Sequence, residues 1–335
     1  MTSTVPERRG PLFLTDADVR MVFDWKEAAE ALRASYVLAA RSEMFPPRTI
    51  ARGEGLWLRT LSGIAPDGGL MGAKLISASV KTKTASYLIS LFDQHSTELQ
   101  ALMDGNAITG FRTAATSALA ADVLAPAGSL RVAVIGSGFE AKTHLRALAS
   151  LRSLERAVVF SPNPTSRTRF VAELSDLGVP IEASESARSA VENADLILCA
   201  ARSRDESPTV RGAWLRSGMT VVSIGSTLPE QRELDSEVIR RADVIVADMP
   251  NEVSHDTGDL LAAKADGVEF ADKLIGLHEL FSGARKGRLS KEQITLYKSV
   301  GAAIQDITVA AICLRRARAA GVGTPLPVTI APVTK

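Results

Sequence analysis

Val132-Ala133-Val134-Ile135-Gly136-Ser137-Gly138-Phe139-Glu140-Ala141 carries an apolar strand into Gly-x-Gly-x-x-Ala and on into a helix-forming segment. The first glycine makes the tight turn and the second lets backbone approach a pyrophosphate. Ala141, in the third position, allows close helix–strand packing. The helix start adds free N–H groups and the positive end of a dipole. Alone, such a triplet could be a bare turn with no ligand. Here it opens a series of short apolar strands: Arg131 to Ile135, Ala157 to Phe160, Leu196 to Ala200, Thr220 to Ile224 and Val244 to Val246. Helix-length segments separate them, such as Ala141 to Leu151 and Ser166 to Leu177. That context predicts an α/β fold, a Rossmann doubly wound parallel sheet that binds a dinucleotide.

The second strand of that series ends in Phe160-Ser161-Pro162-Asn163-Pro164-Thr165-Ser166-Arg167, with no carboxylate to take the ribose hydroxyls. Ser161, Asn163 and Arg167 could hold a 2′-phosphate, so NADP(H) is the expected cofactor and NAD(H) the alternative. The competing reading makes Arg167 an ordinary helix-surface charge.

Outward from this core, Ala125-Pro126-Ala127-Gly128-Ser129 is the clearest linker. The residues before it mix helix (Glu27 to Ala40, and Thr109 to Leu124 with Thr109 near its cap) with strands (Leu56 to Leu61, Gly72 to Val80). A hairpin is expected from Ser86 to Met103, turning at Asp93-Gln94-His95-Ser96. Glu292 to Ala320 reads as one long helix, followed by an extended tail.

The bulk numbers exclude several function classes. The chain has 335 residues, a length that suggests about two domains. Its 39 Lys and Arg against 38 Asp and Glu leave a formal charge of +1, with no general pull toward nucleic acid or anionic lipid. No apolar run reaches the ~20 residues of a membrane span, and the first residues lack a signal-peptide core. A cytoplasmic protein is expected. Cys199 and Cys313 read as small core residues. The histidines at 95, 144, 255 and 278 make no metal-ligand spacing, so no metal is expected; His144 reads as a surface residue.

Three cations before the linker have unusual settings. Arg48 follows Pro46-Pro47, Lys74 lies in the apolar stretch Gly72-Ala73-Lys74-Leu75-Ile76, and Arg112 lies early in an alanine-rich helix. A lysine among apolar neighbours must find a partner or snorkel. A cation near a helix start opposes the dipole unless an anion is close. A surface charge or an internal salt bridge is the alternative for each.

Together these segments resemble the ornithine cyclodeaminase/mu-crystallin family. The matching pieces are Pro47-Arg48, Gly72-Ala73-Lys74, Met103-Asp104-Gly105-Asn106-x-Ile108-Thr109-Gly110-x-Arg112-Thr113-Ala114-Ala115-x-Ser117-Ala118, Gly136-x-Gly138, and Ser299-Val300-Gly301-x-Ala303-Ile304-Gln305-Asp306, in family order. The resemblance implies that Arg48, Lys74 and Arg112 converge on a substrate carboxylate. It implies that Thr113 and the turn of Gly136, Ser137, Gly138, Phe139, Glu140 and Ala141 face the cofactor phosphates, and that Ser299, Val300 and Gly301 lie near the nicotinamide. It also implies an NAD(P)-binding Rossmann domain over 128–305. A second, α+β domain from 1–127 with 306–335 would bind substrate and form a homodimer.

Two departures narrow the reaction. Cyclodeaminases carry an aspartate where this chain has Thr227, and a glutamate for the distal amine of ornithine near Leu58. A hydroxyl does not replace a carboxylate as general base at neutral pH without strong activation, and a leucine does not bind an ammonium. The chain therefore resembles a reductase or dehydrogenase branch, moving a hydride between NAD(P)H and C2 of a small α-imino or α-amino acid. Arg48 and Arg112 would clamp the carboxylate. Lys74 would be the acid/base, its pKa lowered by two nearby guanidiniums. Thr227 would hold substrate or water, and Asp306 would serve the helix or orient a neighbour. The rival readings are an ammonia lyase using bound NAD and a non-catalytic NADPH-binding protein.

Overall fold

The computed structural model describes residues 10–38, 41–201, 205, 207–327 and 330–334. They gather into two compact units, one of residues 10–31, 41–109 and 303–334, the other of 32–38 and 110–302.

The first unit is built on one mixed sheet. Its strands are β1 (Leu12–Leu14), β2 (Thr49–Gly53), β3 (Leu56–Ile64), β4 (Leu70–Ser79), β5 (Thr84–Asp93) and β6 (Leu99–Asp104). They lie in the order β1-β6-β5-β4-β3-β2, with Thr324–Pro325 beside β1. Neighbours from β2 to β6 are antiparallel, and β1 runs parallel to β6. Period-two alternation divides the side chains between two faces. One face packs under the helix Ala303–Ala320, where Ala303 joins buried Leu61 and Ile76. The other leaves Leu56, Leu58, Leu75 and Leu88 exposed. The expected hairpin is present, its turn closed by the Asp93 carboxylate, which accepts from the backbone N–H groups of His95 and Ser96.

The second unit holds eight parallel strands: β7 (Leu130–Ile135), β8 (Leu154–Phe160), β9 (Ile181–Ala183), β10 (Leu196–Cys199), β11 (Thr220–Ser223), β12 (Val244–Ala247), β13 (Leu274–Gly276) and β14 (Thr295–Lys298). Their order is β13-β12-β14-β11-β10-β7-β8-β9. The chain moves outward from β7 to β9, then returns to the opposite side of β7 with β10. That reversal makes the β7/β10 edge a topological switch point, where open α/β sheets bind ligands. Strands β10, β11 and β14 are buried along their whole length, as a sheet covered on both faces requires.

Two expected boundaries move. The alanine-rich helix is Gly105–Leu124, so Thr109 does not cap it. Its hydroxyl donates instead to the Gly105 carbonyl one turn back, at 2.7 Å. Arg112 then lies about two turns inside the helix, and its cost is burial rather than opposition to the dipole. The long helix expected from Glu292 begins only at Ala303: β14 takes up the stretch before it, and Gly301, with φ +86°, lies between the two. An apolar central strand followed by an amphipathic helix shows no change of hydrophobicity at the join, which hides the break.

Candidate active site

The glycine turn follows β7. Gly136 has φ +115°, and a Cβ there would come within 2.6 Å of the Ala200 carbonyl oxygen at the end of β10. Only glycine fits, and that contact marks the switch point. Gly138 caps the helix Phe139–Leu151 without a side chain, and a Cβ there would meet nothing within 4 Å. Open space over a helix N-terminus is the cradle a pyrophosphate needs. Ala141 is fully buried against the sheet. Phe139 is exposed, with its ring against Gly110, while the Glu140 carbonyl oxygen lies 2.7 Å from His144 Nδ1. The Glu140 carboxylate lies 3.6 Å from the same nitrogen.

At the end of β8, the Ser137 hydroxyl donates to the Ser161 hydroxyl at 2.8 Å, and Arg167 donates to the Ser161 carbonyl at 2.7 Å while lying over the Phe160 ring. Asn163 caps the following helix by accepting from the Ser166 N–H. The residues expected to hold the ribose end are thereby gathered. Arg167 is anchored by one of its five N–H groups rather than extended on a helix surface.

Near the last parallel strand, Asp248 organises the segment expected beside the nicotinamide. Its carboxylate accepts from the Ser299 hydroxyl at 2.6 Å and from the N–H groups of Val300 and Gly301 at 3.0 and 2.8 Å. A Cβ on Gly301 would press within 2.5 Å of the Arg112 guanidinium, so this glycine lets the backbone lie against it. Arg112 is only 5% exposed. Thr113 is half-buried one residue on. His144 is buried, not a surface residue. Desolvation first, then the Arg112 charge, pushes its pKa down to about 4 against a backbone hydrogen bond to Glu140 that opposes the shift. The apolar face of its helix turns it inward.

A second network was not legible in the sequence. Glu233 is fully buried, and its carboxylate accepts from the Ala201 and Gly225 N–H groups and from the Ser223 hydroxyl. Asp259 accepts from the backbone of Glu233 and Leu234 and pairs with Lys298 at 2.9 Å. Lys298 donates to the Ser223 hydroxyl and the Ser226 carbonyl. Burial raises Glu233 to about 7, assisted by Asp259 and opposed by Lys298. The three charges tie together the loops after β10 and β11, and so fix the stretch carrying Thr227, whose N–H donates to Gln231 Oε1. One signal was available: Lys298 follows Thr-Leu-Tyr, the same lysine-in-a-strand setting that singled out Lys74.

In the first unit, Lys74 is 1% exposed and donates to Asp306 at 2.8 Å. The partner that a lysine in an apolar strand requires is thus a carboxylate on the covering helix, and Asp306, expected to serve the helix or orient a neighbour, pairs with Lys74. Arg48, just before β2, is half-buried. The register places Lys74 opposite Leu61 and Arg59 opposite Ile76, so Trp57 and Arg59 share the Lys74 face. Leu58 is on the other face, 46% exposed, and cannot mark a pocket beside Lys74. Among the described residues no cluster of three His, Cys, Asp or Glu could hold a metal, both cysteines are free and buried, and no helix is long and apolar enough to cross a membrane.

Residues 71–321 match the ornithine cyclodeaminase/mu-crystallin family. The chain belongs to this family. It is 29% identical over 316 residues to the Delta(1)-pyrroline-2-carboxylate reductase of Paracoccus denitrificans, covering 91% of this chain and 96% of that one. The Delta(1)-pyrroline-2-carboxylate reductase of Thermococcus litoralis, solved in complex with NADH and L-proline, superposes with TM-score 0.86 at 31% identity, over 94% of this chain and all of that one. An archaeal alanine dehydrogenase dimer with bound NAD gives TM-score 0.86 at 26% identity, over 96% and 98% of the two chains. Family members named for reductive chemistry thus share nearly the full length of this chain.

Proposed function

We propose that the chain is an NAD(P)H-dependent imine reductase, or in reverse an amino-acid dehydrogenase, acting at C2 of a small α-imino acid. When bound, the dinucleotide supplies or accepts the hydride. The observation that carries the reading is the buried Lys74–Asp306 pair. An ammonium taken out of water costs several kcal/mol even when paired. Placed on a strand and a helix, it gives a proton donor held at a fixed position for the amine or imine nitrogen. Arg48 and Arg112 hold the substrate carboxylate, each with a planar fork suited to bidentate contact. Thr227, lacking a carboxylate, positions substrate or water and is not the base of a cyclodeaminase.

The open turn at Gly138 and the buried Ala141 fit a dinucleotide pyrophosphate, with Thr113 and the backbone of residues 136–141 facing it and 299–301 beside the nicotinamide. Ser161, Asn163 and Arg167, with no carboxylate among them, favour a 2′-phosphate, so we assign NADPH as the preferred cofactor. The first unit serves substrate binding and pairing with a second copy of the chain, and the second serves the nucleotide.

The test is a spectrophotometric screen of NADPH and NADH oxidation with cyclic ketimines and oxo-acid/amine pairs. Arg112→Ala should lower kcat/KM by at least about 10²-fold, the scale of a lost clamp, with dinucleotide Kd changed less than about threefold. Lys74→Ala would strand the Asp306 carboxylate, so it is paired with Asp306→Asn, and the same collapse is expected. Full activity in both variants would remove the site assignment, and ammonia release from ornithine without nicotinamide turnover would replace the reductase with a lyase.

A further inference from the structure

One buried carboxylate bridges two neighbouring parallel strands just past their carboxyl ends, the edge at which open α/β sheets take their ligands. Cys199 on β10 is opposite Ser223 on β11, so Ala201 and Gly225 are equivalent positions, each two residues past its strand. One oxygen of Glu233 accepts from the Ala201 N–H at 2.9 Å. The other accepts from the Gly225 N–H at 2.8 Å and from the Ser223 hydroxyl at 2.7 Å. A Cβ on Gly225 would strike this carboxylate, so the glycine is what lets it seat there. The support reaches a third strand. Lys298, at the end of β14, donates to the Ser223 hydroxyl and the Ser226 carbonyl and pairs with Asp259. Asp259 in turn accepts from the backbone N–H groups of Glu233 and Leu234. Ser299 to Gly301, assigned to the nicotinamide, follow Lys298 directly.

All three hydrogen bonds to the Glu233 carboxylate are accepted ones, and that makes the tie sensitive to a single proton. A protonated carboxyl must donate once, and backbone N–H groups cannot accept. The Ser223 hydroxyl can reverse, but its own proton then leaves Glu233, and its oxygen must accept from both Glu233 and Lys298. The N–H bonds that remain lose their charge assistance, which is about half their strength. Protonation therefore loosens both loops. The charged groups facing Glu233 are Lys298 from β14 and Asp259 from the helix Gly258–Ala265. The Cys199 thiol faces it from β10. Burial first, then Glu233 itself, pushes that thiol well above its usual range, so it stays neutral near pH 7. Burial raises Glu233 to about 7, opposed by Lys298 and assisted by Asp259, so both of its forms are populated near neutrality.

We infer that Glu233 is a positioning residue whose ionised carboxylate holds the loops past β10 and β11 in the shape that takes the dinucleotide, so that cofactor binding is coupled to the loss of one proton. Binding to the neutral form releases that proton to solvent. Glu233 is fully buried and acts through the backbone it holds, whereas the proton of the reaction is moved by Lys74. This deepens the proposed function and rests on its dinucleotide part.

The experiment measures the Kd of NADH by nicotinamide fluorescence from pH 6 to pH 8, with the full-length protein and no substrate. NADH is the probe because it lacks the 2′-phosphate, a monoester that itself titrates at about 6. His144 titrates near 4, below the range. A group with its pKa at about 7 is ionised in about one molecule in eleven at pH 6 and about ten in eleven at pH 8. The parent's Kd should therefore be about tenfold higher at pH 6 than at pH 8. Glu233→Gln keeps the shape of the neutral form, and its amide nitrogen cannot accept. Its Kd should stay within about threefold of the parent's pH 6 value across the whole range. Ser223→Ala removes a bond that favours the ionised form and should move the transition to higher pH. A parent Kd that does not change with pH overturns the inference but leaves the dinucleotide reading intact. A Glu233→Gln protein that keeps the parent's pH dependence, or a Ser223→Ala transition that does not move, overturns it by giving the titration to another group. If Glu233→Gln does not fold, the parent profile and Ser223→Ala decide. A parent that binds neither NADH nor NADPH at any pH fails the dinucleotide reading itself.

Discussion

Two buried titratable residues give the folded protein opposing pH dependences. His144 titrates near 4 when folded instead of 6.5, mainly because burial disfavours its charged form. Between those values the unfolded chain binds a proton at this site that the folded chain does not. Its stabilisation is present above about 6.5 and is lost as pH falls toward 4. Glu233 behaves in the opposite sense. Its folded value is raised from 4.5 to about 7, so its contribution is complete below 4.5 and is lost as pH rises through 7. In the shared window each changes stability by about 1.4 kcal/mol per pH unit, with opposite sign. His144→Gln should therefore tilt the difference from the parent downward with rising pH, by about 2 kcal/mol between pH 4.5 and 6.5, and Glu233→Gln should tilt it upward by a similar amount. Denaturant unfolding at pH 4.5, 5.5 and 6.5 measures both, and parallel curves for parent and variants would refute both assignments.

At the scale of the strand–turn–helix element, fold and function separate at two glycines with a single residue between them. Gly136 is required by the chain itself, because its φ is +115° and a Cβ would strike the Ala200 carbonyl. Gly138 has room for a Cβ in the folded chain and is required only if a pyrophosphate approaches. Gly136→Ala should lose more than about 1 kcal/mol of stability. Gly138→Ala should unfold within a degree or two of the parent and bind dinucleotide at least about tenfold more weakly, read by nicotinamide fluorescence. Unchanged binding in Gly138→Ala would mean that no phosphate lies there. This element was legible in the sequence because its three small residues follow a strand and open a helix, and each spacing has a steric reason. Lys74 was legible for a similar reason, as a charge in an apolar strand. Asp248, Glu233 and Asp259 were not, since an acid at a strand end, in a loop or in the first turn of a helix looks solvated until the fold shows which N–H groups it must satisfy. Leu58 and Arg59 were ambiguous because the face of a strand depends on register, and a one-residue slip exchanges the faces.

For the whole molecule, the decisive surface is the uncovered face of the first unit's sheet. Leu75 on β4 is directly opposite Leu88 on β5, Leu58 on β3 is diagonal to Leu75, and all three are exposed together with Leu56. Single exposed leucines are ordinary, but a contiguous stripe across three strands marks a surface that meets an apolar partner. If the first unit pairs with a second copy of the chain, as proposed above, this stripe is the surface that would bury itself against its own likeness in a closed two-fold contact. Leu75→Asp with Leu88→Asp places two carboxylates on each side of such a contact, where like charges repel and each must be desolvated. The double variant should elute as a monomer at micromolar concentration, with half the parent's mass by light scattering. Each subunit should still bind dinucleotide, since the glycine turn is in the other unit. A parent that is already monomeric under those conditions, or a double variant that keeps the parent's mass, would show that this face is not the contact between subunits.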